Sequence, residues 1–492
     1  MTAVANHWQK LDRILAADSG ITWSEISGRM TLDSRKVGQG DIFVALPGAQ
    51  HDGRDYVQQA FAQGASLVLA EADGLSAFID PNADKRIVSM PNLSDLLPDL
   101  AKDFFGDPSR TMALVAVTGT NGKTSVVEFV GQLLRSLGCA AGCMGTLGSR
   151  LEASPAEAIN TTPDVLTIND QLVDWQRRGV KHVALEASSH ALHQGRLRSL
   201  SIHTGVFTNL TRDHLDYHDS EADYAAAKLS LFTTFRLERA IFNADDAIAS
   251  QVLKLAEAPA IGISTEGAEA DVQVVIRSMR PMVLAIQSPW GAAEITVELS
   301  GRFNAFNVVA AIAAVTGLGF DFQQVCAVAS DLKPVPGRME RILISDDRLA
   351  VVDYAHTPDA LESALQTLRG ETKGRLWVVF GCGGDRDSGK RSLMGRAAAR
   401  WADHIVVTSD NPRSEAPAKI IEDVISGCGA DAEIVVDRAE AIRHALSLAE
   451  AGDTVLVAGK GHEDYQDVAG VRLPFSDQQI LSGYQRLDGV RS

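Results

Sequence analysis

Lys123 and Thr124 stand at the end of the run Val117-Thr118-Gly119-Thr120-Asn121-Gly122-Lys123-Thr124-Ser125, and those types at that spacing suit a phosphate. The apolar stretch 112–117 reads as a short buried strand, and from Ser125 to Leu137 apolar residues recur at helical spacing. Strand, glycine-bearing turn and helix start gather backbone N–H groups and a helix N-terminus around a small concavity. Lys123 would add a point charge for the outer phosphates, and the Thr124 hydroxyl a ligand for Mg²⁺. The full P-loop pattern carries an earlier glycine where this chain has Val117. The run is a shortened relative of that loop, and an ATP site is expected rather than a plain strand-to-helix turn.

Other residues could serve the same chemistry. Glu186 ends an apolar strand, where a carboxylate would face the phosphate loop and hold Mg²⁺; a helix N-cap environment is the alternative. His214 and His218 are four residues apart and would share a helical face, but the glutamate of a zinc-protease arrangement is missing, so His214 is read as a single ligand near phosphates. Lys228 looks by its spacing like a solvated helix-surface lysine. Asn160-Thr161-Thr162-Pro163 and Gln194-Gly195-Arg196 offer donors and a cation for a carboxylate or phosphate, or caps for their own backbone. In Asp410-Asn411-Pro412-Arg413 the proline sets the turn and gives Arg413 a definite direction, and arginine reads a carboxylate bidentately; a plain turn ahead of a helix at 417–425 is the alternative.

These residues need elements to carry them. The 492 residues exceed one compact core and suggest about three domains. Hydrophobic content of 45% and charged content of 22% describe a soluble globular protein. A net charge of −17 argues against a nucleic-acid partner, although local cations can still meet anionic substrates. Charges within 1–15 interrupt any signal-peptide core, and no apolar run reaches the ~18 residues of a membrane span. The five scattered cysteines read as core thiols of a reducing cytosol.

Strands at 40–46 and 66–70 flank a helix at 56–64, giving a small N-terminal α/β domain over 1–105. Over 106–336, strands at 112–117, 182–186, 205–209 and 239–243 alternate with helices, which argues a parallel sheet covered on both faces. Short runs over 272–300 suggest an antiparallel patch on one edge, and 307–315 a buried helix. Over 337–492, five apolar strands (349–353, 376–380, 404–408, 433–436, 454–458) form a second open, doubly wound sheet. Ligands of such sheets sit beyond the C-terminal strand ends, where Asp353 to His356, Gly381 to Arg386, Asp410 to Arg413 and Gly459 to Glu463 all fall.

Gly119 to Thr124, Glu186-Ala187-Ser188-Ser189-His190, Asp213-His214-Leu215-Asp216, Gly301-Arg302-Phe303-Asn304-Ala305-Phe306-Asn307 and Asp353-Tyr354-Ala355-His356-Thr357-Pro358 occur in one order along the chain. In this the chain resembles the Mur ligase family, the ATP-dependent amide-forming enzymes of peptidoglycan precursor synthesis. With Thr31-Leu32-Asp33-Ser34-Arg35 and Asp410 to Arg413 both present, it is most similar to members that add meso-2,6-diaminopimelate to UDP-N-acetylmuramoyl-L-alanyl-D-glutamate. Diaminopimelate has a distal carboxylate for Arg413 to hold, and lysine lacks it. A lysine-adding member, a folylpolyglutamate-type ligase and, from another class, a P-loop switch are the rival readings.

The resemblance implies an α/β fold of three domains: a small substrate-binding one, a central P-loop-type parallel-sheet ATPase domain, and a Rossmann-like amino-acid-binding one. Gly119, Thr120, Asn121, Gly122, Lys123, Thr124 and Ser125 would hold the ATP phosphates, with Asn304, Asn307, Arg338 and Asp353 elsewhere on the nucleotide. Glu186, His214 and Lys228, the last as a carbamate that turns a cation into an anion, would join Thr124 around Mg²⁺, and His356 counts with the catalytic residues. Leu32, Ser34, Ala49, Gln50 and His51 would face the uridine nucleotide, and Asn160, Thr161, Thr162, Ser188, Gln194 and Arg196 the muramoyl-dipeptide. Arg386, Asp410, Asn411, Pro412, Arg413, Gly459 and Glu463 would hold diaminopimelate. The substrates are small molecules, and a cytoplasmic monomer is expected, without membrane or nucleic acid.

Overall fold

Alternate residues of two apolar strands, Ile42–Ala45 and Leu67–Glu71, point into opposite cores, as the two-residue period of a strand requires. They lie between Met30–Thr31 and Ile87–Met90 in a four-stranded parallel sheet whose spatial order follows the chain. One of its cores also takes in Val165 and Leu166, from the helix Val165–Arg177 that follows the Asn160–Pro163 turn. The computed structural model describes residues 28–48, 51–80, 84–151, 160–345 and 347–491. Ala49, Gln50 and the charged stretch 1–15 lie outside them.

The central sheet has ten strands in the order Gly291–Val297, Met282–Ser288, Val272–Met279, Ala260–Ser264, Arg239–Asn243, Thr204–Phe207, Ala113–Thr118, His182–Glu186, Ala141–Gly145, Gly148–Arg150. Its middle is parallel, and the three strands over 272–297 form the expected antiparallel edge. The phosphate-loop strand Ala113–Thr118 lies between two parallel neighbours, so it is buried on both faces. The strands at 141–145, 148–150 and 260–264 escaped the sequence reading, because their small and glycine residues carry little apolar signal. The helix Phe303–Gly317 begins before the expected 307: Asn304 and Asn307 are polar but buried, with Asn307 Nδ2 donating to Asn304 Oδ1 at 3.0 Å.

The third sheet has six strands, in the order Glu340–Ser345, Arg348–Asp353, Thr454–Ala458, Leu376–Phe380, His404–Val407, Glu433–Ile434. The sequence reading has five; Glu340–Ser345 is a half-exposed antiparallel edge whose mixed residues look like a loop. A hairpin, Tyr465–Val468 with Val471–Pro474, stands apart from this sheet. His214 and His218 do not share a helix: they span a single turn, with His218 N donating to His214 O at 3.0 Å and His214 at φ 54°. No helix among the described residues is long and apolar enough to cross a membrane.

Candidate active site

The chain leaves the buried strand at Thr118 and enters the helix Lys123–Ser136 through Gly122, two residues earlier than the apolar spacing implies. Gly119 has φ 143°, and a Cβ there would lie 1.9 Å from Thr208 Oγ1, so the close approach of the 208–211 segment requires glycine. That segment shapes the loop. Thr120 N donates to Asn209 O at 2.8 Å, Asn121 N to Asn209 Oδ1 at 2.9 Å, and Thr211 N to Thr120 Oγ1 at 3.0 Å. Asn209, past the end of its strand, is thereby a loop-shaping residue.

Two lysines converge on one carbonyl. Lys123 Nζ donates to Gly119 O at 2.9 Å and Thr120 O at 2.8 Å, and Lys228 Nζ donates to Gly119 O at 2.7 Å. Lys228 is 1% exposed and lies 4.2 Å from the centre of the Tyr224 ring. The spacing-based expectation of a solvated lysine is thus wrong. The helix Glu221–Leu229 packs this face onto the phosphate loop, a tertiary contact that helical periodicity does not encode. Burial, aided by the Lys123 charge, holds the Lys228 ammonium well below its ordinary pKa. Burial also lowers Lys123, against the pull of Glu186 and Asp213.

Glu186 is 1% exposed at its strand end, and its carboxylate is held by Thr146: the amide donates to Oε1 at 2.8 Å and the hydroxyl to Oε2 at 3.2 Å. A Cβ on Gly145 would lie 2.2 Å from Glu186 Oε1. Gly145→Ala is therefore expected to displace the carboxylate and lower kcat about tenfold, by analogy with a lost charge-stabilising contact; a steady-state assay with a thermal melt as folding control checks it.

Asp213 is the hub that residue-by-residue reading missed, although it stands in a motif quoted above. His214 Nε2 lies 3.4 Å from Asp213 Oδ2, His356 Nε2 3.7 Å from the same oxygen, and Lys390 Nζ 3.4 Å from Oδ1. Burial alone would raise this carboxyl, but the adjoining His356 imidazole and the Lys390 and His214 charges outweigh it and hold the group well below the usual carboxylate range. His214 is pushed well down by burial, against the Asp213 charge, so its imidazole is neutral. His190, whose ring centre is 4.8 Å from that of His214, is lowered to about 4, chiefly by burial.

Both His356 and Lys390 come from the third sheet's elements, so Asp213 joins two domains. Other contacts cross the same seam. Arg338 Nη2 donates to Thr124 Oγ1 at 3.0 Å, Arg212 Nε lies 3.2 Å from Asp387 Oδ2, and Arg386 Nη1 lies 3.6 Å from Asp216 Oδ2. Asp353 is raised by burial, and its Oδ2 accepts from Met339 N at 2.7 Å. Beside the phosphate-loop helix, Ser125, Ser300, Asn304 and Arg338 line part of a cavity of about 150 Å³. Asn307 turns instead toward the loop: its Oδ1 lies where a Cβ on Gly122 would be 2.7 Å away.

The residues expected on the dipeptide cluster beside Glu186. Thr162 Oγ1 donates to Glu186 O at 2.6 Å and to Ser188 Oγ at 3.1 Å, and Arg196 Nη1 donates to Thr162 O at 2.7 Å. Arg196 Nε donates to Gln194 Oε1 at 2.9 Å, and Thr161 Oγ1 accepts from Thr146 Oγ1 at 3.3 Å. Asn160 is exposed at the start of this turn. Leu32 and Ser34 lie on the N-terminal domain, half-buried and buried, and His51 is exposed on the loop before its helix.

In the third domain Asp410 and Asn411 are buried, and Asn411 Nδ2 donates to Glu463 Oε2 at 2.8 Å. Lys460, part of the Gly459 to Glu463 cluster but expected in no role of its own, is fully buried; its Nζ donates to Asn411 Oδ1 and to Glu463 Oε2, each at 3.0 Å. Its glycine-flanked position past a strand end was the available signal. Arg413 Nη1 donates to Gly384 O at 2.6 Å, and Gly459 N to Asp353 O at 3.0 Å. Arg386 faces Asp216 across the seam while Arg413 faces Gly384, so the two arginines expected on one ligand have separate partners here.

A glycine-bearing loop, a buried carboxylate and two buried nitrogen groups on one domain thus face cations and a polar pocket on another. Three family models match along the chain: "Mur ligase family, catalytic domain" over 28–105, "Mur ligase middle domain" over 117–315 and "Mur ligase, glutamate ligase domain" over 337–461. A UDP-N-acetylmuramoyl-L-alanyl-D-glutamate–2,6-diaminopimelate ligase of Haemophilus ducreyi is 41% identical over 476 residues, covering 93% of this chain and 95% of that protein. A solved structure of a ligase with that same name matches with TM-score 0.64 at 37% identity, over 94% of this chain and 95% of its own. The MurF ligase of Thermotoga maritima in complex with ADP shares the fold, with TM-score 0.66 at 18% identity over 95% of this chain and 99% of its own. By its motifs, its fold and these matches, the chain belongs to the Mur ligase family.

Proposed function

We propose that the chain is the ATP-dependent ligase that adds meso-2,6-diaminopimelate to UDP-N-acetylmuramoyl-L-alanyl-D-glutamate, releasing ADP and phosphate. The observation that carries this reading is Asp213 bridging His214 of the ATP side to His356 and Lys390 of the amino-acid side. It draws the domain that carries Asp410 to Arg413 against the phosphate loop. The names of its relatives agree with it. We place the work in the cytoplasm, by a monomer acting on small molecules in the pathway that supports cell shape and division.

The D-Glu side-chain carboxylate attacks the γ-phosphorus of ATP, forming an acyl phosphate as ADP leaves. The amine of diaminopimelate, in its neutral form, then attacks the acyl carbon; phosphate departs and the amide forms. Direct condensation of carboxylate with ammonium offers no leaving group, which the phosphate supplies. Catalysis is largely positioning and charge neutralisation. Lys123 swings from the Gly119 and Thr120 carbonyls to the transferred group. Arg338 steadies the nucleotide end of the loop through Thr124. Thr162, Ser188, Gln194 and Arg196 orient the dipeptide so that its free carboxylate meets the phosphate.

The donor set suits Mg²⁺ in its oxygens: Glu186 and Thr124 supply hard ones, and burial disfavours the charged forms of His214 and Lys228. Those four residues, Lys228 as its carbamate, would hold it. When bound, it neutralises phosphate charge.

The test is phosphate release with and without UDP-muramoyl-dipeptide, across diaminopimelate, lysine and glutamate, with the product mass measured. Release that needs both the dipeptide and diaminopimelate supports the reading; release without an acceptor points to a nucleotide switch. Arg413→Ala is expected to raise KM for diaminopimelate about 30-fold, the scale of a lost charge-assisted contact, and to leave KM for ATP within a factor of two. An unchanged KM for the amine rules out Arg413 as its carboxylate reader.

A further inference from the structure

The Tyr465–Val468 and Val471–Pro474 hairpin has no sheet of its own to join, and Val471 and Leu473 are exposed on it. A lone two-stranded hairpin of this kind is marginal in water, so something other than apolar burial holds it. What holds it is polar and nearly all directed at one loop. Gln466 Nε2 donates to Asp410 O at 2.9 Å, and Asp467 N to Asn411 Oδ1 at 3.0 Å. Arg413 N donates to Asp467 O at 2.9 Å and Ala469 N to Arg413 O at 2.8 Å, so Arg413 is bonded on both sides of its backbone. Arg413 pairs with Val468 as an isolated parallel bridge.

The backbone at the centre of these contacts is strained. Arg413 has φ 50° and Ala469 φ 51°, a left-handed conformation that residues with a Cβ avoid. Such a conformation persists at functional positions when its surroundings over-determine it. The bonds on both sides of Arg413 do this, and the second strained residue, Ala469, supplies one of them.

We propose that the hairpin is a specificity clamp: through Gln466, Asp467 and Ala469 it holds Arg413 in the one backbone conformation that aims its guanidinium at the distal carboxylate of the incoming amino acid. The proposal rests on the diaminopimelate reading above. Freed from the clamp, Arg413 relaxes toward negative φ and its side chain leaves that line. The loss then falls on substrates that have a distal carboxylate, and lysine is spared.

The experiment compares the full-length wild type, Ala469→Pro, Ala469→Gly and Gln466→Ala. Proline removes the N–H given to the Arg413 carbonyl and cannot reach φ 51°, whereas glycine keeps the N–H and favours that φ. Ala469→Pro is expected to raise KM for diaminopimelate about tenfold and to lower the preference for diaminopimelate over lysine by about the same factor. KM for ATP and for the UDP-dipeptide stays within twofold of wild type, and Ala469→Gly matches wild type throughout. Gln466→Ala, which loses one hydrogen bond, raises KM for diaminopimelate about threefold; it decides the matter if the proline variant fails to fold. An unchanged preference for diaminopimelate over lysine overturns the clamp, as does an equal rise in all three KM values. A wild type that makes no diaminopimelate product overturns the functional reading first, and the clamp's assigned ligand with it.

Discussion

Replacing Lys228 with alanine is expected to lower kcat about 10³-fold, the scale seen when a preorganised charge is taken from a phosphoryl-transfer site. The side chain is sealed against the Gly119 carbonyl and the Tyr224 ring, where a permanent ammonium is poorly compensated. Burial, then the Lys123 charge, depress its pKa and so raise the share of neutral amine that can meet CO₂. In that reaction the nitrogen lone pair forms the N–C bond, one C=O pair moves to oxygen, and a proton leaves for solvent. A cation that repels Lys123 becomes an anion that attracts it and can face Mg²⁺. Because a proton is released, carbamate rises with pH and with bicarbonate. CO₂-depleted buffer should therefore slow the wild type, and bicarbonate restore it, while Lys228→Ala responds to neither. Lys228→Arg, which cannot form the carbamate, should be equally slow. A variant that keeps a tenth of the wild-type rate of phosphate release would remove Lys228 from the mechanism.

Lys123→Ala should cost about 10²–10³ in kcat, the range for one lost contact to developing charge. Its Nζ shares the Gly119 carbonyl with Lys228 and also meets the Thr120 carbonyl, so it is parked on the loop proposed to cradle the phosphates. Those bonds position it close to its working place at little cost in side-chain order. Lys123→Arg should not rescue it, since the planar guanidinium is larger and its geometry differs from a point charge. Single-turnover phosphate release measures the effect, with KM for diaminopimelate as control. If that KM moved as far as kcat, the damage would be to domain docking rather than to phosphoryl transfer.

Local pattern was enough to locate several parts of this site. Gly119 to Thr124 between a buried strand and an amphipathic helix is a short-range motif, and spacing alone marks it as a candidate phosphate site. Asp410 to Arg413 stood out for the same reason, since proline and arginine act through local backbone geometry, and its role toward a ligand remains a proposal. The antiparallel edge over 272–297 and the parallel strands with their helices also followed from periodicity. Periodicity weakened where strands are glycine-rich, as at Ala141–Gly145, or half-exposed, as at Glu340–Ser345.

Tertiary structure decided the remainder, because burial and charge environment are properties of contacts between distant segments. Lys228 reads as a surface residue from its own helix, and only the packing of that helix over Gly119 turns it into a buried amine. Asp213 becomes a hub only when His356 and Lys390 arrive from another domain. Lys460 is one more lysine in the chain and a structural cation once Asn411 and Glu463 close on it. The motifs by themselves pointed to an ATP site and, through their order along the chain, to a resemblance with a ligase family; the fold decided which charges are buried and beside what, and a charge's energy depends on what surrounds it.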